Sequence, residues 1–486
     1  NPPSCTKTMN KKTFKPSSDL PAGFVDRQEE ELLIRDLLIS NIKKTMSKYG
    51  FQYLETPSFE YTDSIGKFLP DKDRPSEGVF SFEDEKKWLS LRYDLTAPLA
   101  RYSAKNFDSI PKPFKRYQLG TVWRNEKPGP GRYREFLQFD ADYIGTSNLF
   151  SDAELCFLIS EILNSCGLEK KEFVVKISNR KLTKGLLEEL NITDEQKQSI
   201  ALRAIDKLDR VGIEGVQYLL GKGRKDKSGD FTKGAELEEN QIKQIINFLS
   251  IKDLSENNFE KIKKMSENNK TMQAGIDELA LMKKYFSLFN FKNYIFDPTV
   301  VRGLEYYTGP IFEANLTFGV TNNKGQEIEF GSIGGGGRYD DLVKRFNNQE
   351  CPATGISVGL DRLIYAIIQK NKIKVEKSIP VLICVFDEKY MDFYMKILNL
   401  LRSKNISSEI YSGSSNIKSQ FKYADKRGCK YVILCGEDEI QKNLITIKNL
   451  SIGKQVSENL KDRDDWKQSA EAQKTVPFDQ LLNEIK

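Results

Sequence analysis

Residues 119–144 read LGTVWRNEKPGPGRYREFLQFDADYI. The prolines and glycines of EKPGPG, residues 126–131, cannot continue a regular element and suit an exposed turn, so the runs on either side are predicted to form an antiparallel hairpin. On the second strand, period-two alternation sends Arg134, Phe136, Gln138, Asp140 and Asp142 to one face. Tyr133, Leu137, Phe139, Ala141 and Tyr143 go to the other. A core sheet buries the second set at little cost. It has no use for a guanidinium, an amide and two carboxylates beside one aromatic ring. The first face therefore reads either as a ligand surface or as the solvated side of a half-exposed hairpin.

A chain of 486 residues exceeds one ordinary core, and two or three domains are expected. Apolar residues at 39% and charged residues at 30% fit a soluble globular protein. The excess of 75 Lys and Arg over 69 Asp and Glu permits a polyanionic partner without requiring one. Seven cysteines are scattered with no C-x-x-C pair, so neither a disulfide framework nor a zinc site is expected. The chain contains no histidine. That excludes Ser-His-Asp and Cys-His catalysis and His-ligated metals, leaving carboxylates, guanidinium and ammonium groups, tyrosines, backbone dipoles or bound cations. No apolar run approaches membrane-spanning length, and residues 1–19 form a tail without the apolar core of a signal peptide. A cytoplasmic protein with no membrane partner is expected.

Upstream of the hairpin, residues 26–48 predict a helix capped by Asp26, with a broad stripe of Leu33, Ile34, Leu37, Leu38, Ile42 and Met46. FQYLETPSFE, residues 51–60, predicts a strand ended by Pro57. In RYDLTAP, residues 92–98, Asp94 and Thr96 share one face as two acceptors suited to one ammonium, or Thr96 simply caps a helix whose first turn holds Pro98. Downstream, residues 152–166 predict an amphipathic helix and FVVKIS a buried strand. Residues 184–290 are rich in Lys, Glu, Leu and Ile and are predicted to be a helical insertion, broken by the charged loop GKGRKDKSGD at 221–230. Chemistry-bearing types resume in VVRGLEYYTGPIFE, residues 300–313. GSIGGGGRYDDLV, residues 331–343, offers either close backbone approach or a flexible loop. ATGISVGLDRLIYAI, residues 353–367, predicts a strand of small residues followed by a helix near Leu360, where Arg362 lies in a region favourable to anions. After a linker around 370–378, strands and helices alternate β-α-β-α-β-β as an independent α/β domain. Its segment KSQFKYADKRG mixes Lys418, Lys422, Lys426 and Arg427 with Phe421 and Tyr423, which suits phosphates and unstacked bases or an ordinary lysine-faced helix.

WRNEKPGPGRYREF resembles motif 2 of class II aminoacyl-tRNA synthetases, and LQFDADYIG resembles the histidyl-tRNA synthetases, in particular their alphaproteobacterial branch. Residues 26–60 resemble motif 1, RGLEYYTG resembles the histidine-specific motif, and residues 353–367 resemble motif 3. The resemblance implies an α+β fold. It consists of an antiparallel-sheet catalytic domain (20–183 and 291–372), a helical insertion (184–290) that contacts tRNA, and an α/β anticodon-binding domain (379–486). It implies ATP-dependent ligation of histidine to tRNA-His by a homodimer, with Mg2+ on the ATP phosphates and no zinc or prosthetic group.

By motif, Arg124 and Arg302 would be catalytic. Arg124, Glu126, Arg134, Phe136 and Arg362 would bind ATP. Asp94, Thr96, Gln138, Asp142, Arg302, Tyr306, Tyr307 and Tyr339 would bind histidine. Lys127, Lys418, Phe421, Lys422, Lys426 and Arg427 would contact tRNA. The alternative is a non-catalytic paralogue, either a regulatory subunit of histidine biosynthesis or a sensor of uncharged tRNA.

Overall fold

The computed structural model describes residues 16–66, 78–225, 231–251, 256–265, 269–301, 307–322, 324–414, 416–451 and 473–485. The chain divides into two compact units, residues 1–375 and 376–486.

The hairpin anchors the first unit. Its strands Phe114–Trp123 and Glu135–Ile144 pair antiparallel along their whole length, from Phe114 opposite Ile144 to Trp123 opposite Glu135. They belong to an eight-stranded sheet in the order Gln52–Tyr53, Phe114–Trp123, Glu135–Ile144, Ala353–Gly359, Ser332–Arg338, Pro310–Leu316, Phe173–Asn179, Tyr294–Phe296. The outermost pair at each end is parallel and the inner pairs are antiparallel. One face is apolar. Phe139, Ala141, Ile356, Val358, Phe312, Val175 and Ile177 share a core with side chains of the helices Glu29–Lys48, Phe150–Ser165 and Leu360–Gln369. Burying each such side chain stabilises the fold by about 1.5–3 kcal/mol before entropy is counted.

The glycines that left a loop open form the central strand Ser332–Arg338 instead. They are required by proximity: a Cβ on Gly336 would stand 1.9 Å from the Gly355 carbonyl oxygen.

Several local expectations are corrected. The first helix begins at Glu29, with Gln28 at its N-cap and no side-chain cap. Asp26 does not cap it. The chain stays extended at Gln28 while the neighbouring Arg27 reaches Asp361, 2.8 Å from Nη2 to Oδ1. Leu37 is 41% exposed, so the apolar stripe is narrower than its sequence suggests. Residues 51–60 are not one strand. Gln52–Tyr53 joins the large sheet, and Phe59–Tyr61, beyond Pro57, joins a small sheet with Lys87–Leu91 and Ser81–Asp84. The helix expected over 152–166 runs Phe150–Ser165, and Asp152, in its first turn, is a fully buried partner of Arg338.

The described residues of 184–290 are mainly helical, in a series running from Arg180–Glu189 to Lys270–Leu288, and their buried apolar side chains are continuous with the core of the sheet. The ends of the charged loop pair as a ribbon, Gly223–Lys225 with Phe231–Lys233. Residues 226–230 lie outside the described residues.

The second unit is a five-stranded sheet in the order Ser408–Ile410, Val381–Ile383, Tyr431–Leu434, Leu444–Asn449, Gln473–Pro477. The first three strands are parallel and the last two pair antiparallel. The last strand escaped the sequence reading because Gln473, Lys474 and Thr475 are exposed and carry no apolar signal.

Candidate active site

The face of the large sheet opposite its core carries the polar half of the hairpin. Cross-strand register sets Gln138 between Gly120 and Gly359, Asp140 between Gln118 and Ser357, and Asp142 between Arg116 and Gly355. Asp142 lies across Gly355, where a Cβ would stand 1.8 Å from its Oδ1. Only a glycine leaves room for the carboxylate there.

Beside this row opens a cavity of about 310 Å³. Arg124, Glu126, Lys127, Phe136, Gln138 and Arg362, all nominated from sequence, line it. The Arg124 guanidinium lies 4.4 Å from the centre of the Tyr93 ring and 5.2 Å from that of Phe136. Its Nε donates to the Tyr93 carbonyl at 3.2 Å and its Nη2 to Gln138 Oε1 at 3.4 Å. Glu126 accepts a hydrogen bond from the Tyr93 hydroxyl at 2.6 Å. Arg362 is held by the carbonyls of Ser332 and Phe330 and stacks over Phe330, 4.1 Å from the ring centre. Arg134 supports the turn, donating to the Glu126 carbonyl at 3.2 Å, and its stem covers Gly23. It is not among the lining residues.

Gln138 links this cavity to a second cluster, because its Nε2 donates to Asp140 Oδ1 at 2.8 Å. Thr96 Oγ1 donates to Asp140 Oδ2 at 3.4 Å. Tyr339, 2% exposed, donates to Asp142 Oδ1 at 2.5 Å. Tyr307 lies against Gly337, where a Cβ would meet its ring at 3.1 Å, and Gly337 pairs with Gly355. Asp94 does more than the sequence suggested. Its Oδ1 accepts from the backbone N–H of Thr96 at 3.1 Å and of Ala97 at 2.9 Å, so it, and not Thr96, supplies the side-chain acceptor at the start of the helix Thr96–Lys105. Arg302 and Tyr306 lie outside the described residues.

Burial dominates the electrostatics of the cluster. It pushes Asp140 up to about 7, reinforced by the charge of Asp142 and opposed by Arg116 and by hydrogen bonds from Gln138 and Ser357. Asp142 and Asp94 are raised for the same first reason. Arg116 and the Tyr339 hydroxyl oppose the rise at Asp142, and the Ala97 N–H and Arg124 oppose it at Asp94. A buried carboxylate is costly to ionise unless a cation or a set of hydrogen-bond donors faces it.

Sequence reasoning missed Arg116 and Gln118 and gave Asp140 no individual role. The signal was present in FKRYQLGTVW, where Arg116, Gln118 and Gly120 alternate on the strand that the hairpin sets against Asp142, Asp140 and Gln138. Among the described residues no group of three or more Cys, Asp or Glu side chains is placed to hold a metal ion.

In the second unit, Lys418, Lys422 and Lys426 are exposed on the helix Ile417–Arg427. Phe421 packs partly into the apolar core with Lys448 over its ring at 5.3 Å, and Arg427 stands 3.8 Å from Glu409.

The hairpin thus brings an arginine and an aromatic ring to one cavity with a second arginine from the helix that follows a small-residue strand. Comparison with known proteins gives the class, the aminoacyl-tRNA synthetases, and the family within it. Residues 23–363 match the family described as Histidyl-tRNA synthetase, and residues 380–486 match the Anticodon binding domain. The histidine–tRNA ligase of Bartonella henselae is 46% identical, with 98% of each chain covered. That of Brucella ovis is 45% identical over 98% of this chain and 97% of its own. The crystal structure of histidyl-tRNA synthetase from Nostoc superposes with a TM-score of 0.67 at 25% identity, covering 97% of this chain and 99% of that one. The chain belongs to the histidyl-tRNA synthetase family.

Proposed function

We infer that the protein ligates histidine to tRNA-His with ATP, through a histidyl-adenylate. The observation that carries this reading is identity of 46% over essentially the whole length of a curated histidine–tRNA ligase, catalytic and anticodon-binding regions included. A structure titled ATP phosphoribosyltransferase regulatory subunit/histidyl-tRNA synthetase shares the fold at 21% identity, and a likeness at that level speaks to the fold alone. The non-catalytic paralogue is not favoured.

In the first step the histidine carboxylate attacks the α-phosphate of ATP, pyrophosphate leaves, and a mixed anhydride remains. Two anions must be brought together, so the residues act mainly by neutralising charge and aligning groups. Mg2+ enters as part of the ATP substrate. Arg124 is proposed to hold the α-phosphate, a role supported by its position on the cavity wall next to Gln138. Phe136 and Glu126 would position the adenine. Arg362 would meet the γ-phosphate near the N-terminus of its helix, where the dipole favours anions. Asp94, Thr96, Gln138 and the newly recognised Asp140 would surround the α-ammonium, and Asp142, Tyr339 and Tyr307 the imidazole. Arg302 and Tyr306 retain the roles their motif implies. In the second step the histidyl group passes to the terminal ribose of the tRNA, whose anticodon arm would meet the lysine-bearing helix of the second unit.

A homodimer is proposed on the exposed aromatic face of the small sheet, where Phe59, Tyr61 and Phe82 are 50%, 51% and 43% exposed. No helix among the described residues is long and apolar enough to cross a membrane, and a cytoplasmic location is proposed with this activity.

The test is transfer of labelled histidine to a tRNA-His transcript. Wild-type protein should acylate it, and Arg124→Ala should lose roughly 10²–10³-fold in rate while remaining folded. Near-normal charging by folded Arg124→Ala would remove that residue from the mechanism.

A further inference from the structure

Arg116 lies at the bottom of the carboxylate cluster with no exposed surface. It is a costly residue to bury. Its Nη2 donates to the Leu95 carbonyl at 2.8 Å, while Nε and Nη1 have no hydrogen-bond partner. The same Nη2 stands 3.2 Å from Asp142 Oδ2, an ion pair without a directed hydrogen bond, since that oxygen also has no hydrogen-bond partner. A buried guanidinium with two idle donors is a poor stabiliser, because its desolvation is only partly repaid. An apolar side chain of similar length would fill the space at lower cost. The charge must therefore be explained by what it holds.

It holds two things at once. Leu95 separates Asp94 from Thr96, so the bond to its carbonyl fixes the turn that presents both groups. Asp142 sits on the hairpin strand opposite. We propose that Arg116 is a positioning residue for amino-acid recognition: it ties the Asp94–Thr96 turn to Asp142 and supplies the counter-charge that keeps Asp142 an anionic acceptor for the substrate's ring N–H. This inference rests on the histidine-site reading above.

Charged and titratable groups face Asp142 from each side. Arg116 comes from the neighbouring strand, Tyr339 from beyond the glycine strand, Asp94 from the turn, and Asp140 from its own strand. Arg116 is the one cation acting on Asp142 in this set, and the rest are acidic or phenolic. Removing it takes the opposing charge from Asp142 and weakens it at Asp140, while Arg124 and the Ala97 N–H still face Asp94, so Asp142 would take up a proton at higher pH than in the wild type. Asp142 would then offer a hydroxyl in place of a carboxylate, and the substrate ring would lose its charged acceptor.

The experiment measures histidine-dependent ATP–pyrophosphate exchange by the full-length protein between pH 6 and 9. It compares wild type, Arg116→Met and Arg116→Lys, with Asp142→Asn as control. Free histidine titrates in this window for every variant, so the comparison between variants cancels it. Arg116→Met should raise the KM for histidine by about tenfold or more, the loss of a charged hydrogen-bond network. It should also move the acid limb of kcat/KM for histidine to higher pH, with the KM for ATP little changed. Arg116→Lys should return the acid limb toward wild type but keep a raised KM for histidine, because a single ammonium cannot span Leu95 and Asp142 as a guanidinium fork does. If Arg116→Met does not fold, the lysine variant decides: a raised KM for histidine supports the role and an unchanged one overturns it. A folded methionine variant with the wild-type KM and acid limb also overturns it, leaving Arg116 structural. Asp142→Asn separates the two levels. If it leaves the KM for histidine unaltered, the histidine-site reading has failed and not merely the role of Arg116.

Discussion

The two sheets of this protein treat buried polar atoms in opposite ways. Beside the five-stranded sheet, Gln420 on the helix Ile417–Arg427 is 2% exposed and spends both ends of its amide on Val385, just past the strand Val381–Ile383, accepting from its N–H at 2.9 Å and donating to its carbonyl at 2.8 Å. The buried hydroxyl of Thr446 is paired with that of the exposed Thr475 at 2.7 Å. In the eight-stranded sheet, Arg116 Nε and Nη1 and Asp142 Oδ2 are buried without hydrogen-bond partners, and three aspartates carry raised pKa values. Satisfied polar groups specify a fold. Unsatisfied ones weaken the fold, and they persist where a ligand completes them.

The comparison can be broken at three points. The largest effect is expected at Gly355→Ala, because the new Cβ would stand 1.8 Å from Asp142 Oδ1 and must displace it. A shift of this kind at a positioning group costs on the order of 10²-fold in kcat/KM for histidine. Steady-state exchange kinetics on a variant with a normal circular dichroism spectrum would check it.

A stability effect of the opposite sign is expected at Asp140→Asn. Folded Asp140 holds its proton up to about pH 7, whereas an unfolded aspartate releases it near 4. The folded state therefore binds the extra proton between these values, and this group makes stability fall as the pH rises through that window. Asp140→Asn removes the penalty. Its melting temperature should exceed that of wild type at pH 7.5 and match it near pH 4, while its KM for histidine rises. A lower melting temperature at both pH values would mean that Asp140 is structural.

The smallest effect should come from Gln420→Leu, which leaves the Val385 N–H and carbonyl unpaired and costs about 1–3 kcal/mol in the second unit. Denaturant unfolding should register the loss, and histidine-dependent exchange should remain at the wild-type rate. A matching fall in exchange would mean that the two units do not divide structure and chemistry as described.

The hairpin was legible because alternation is a strong signal once a turn is anchored. Two carboxylates, an amide and a phenylalanine on one face of residues 134–142 had few ordinary explanations. The glycine run was ambiguous because glycine marks loops and close approaches alike. Its place in a central strand is set by neighbours such as Gly355, distant in sequence. Arg116 was hidden for a related reason: its partners, Leu95 and Asp142, are 21 and 26 positions away, and no local pattern marks a buried arginine. Asp94 showed the limit of motif reasoning. The motif named it for ammonium binding, and the structure adds a helix-capping duty on the same carboxylate.

The central claim is that the charged face of the large sheet selects histidine and activates it on ATP. ATP–pyrophosphate exchange with each of the twenty amino acids in turn tests this most directly. The account expects exchange with histidine alone, lost in Asp142→Asn. Exchange supported equally by another amino acid, or none with histidine in a folded wild-type protein, would contradict it.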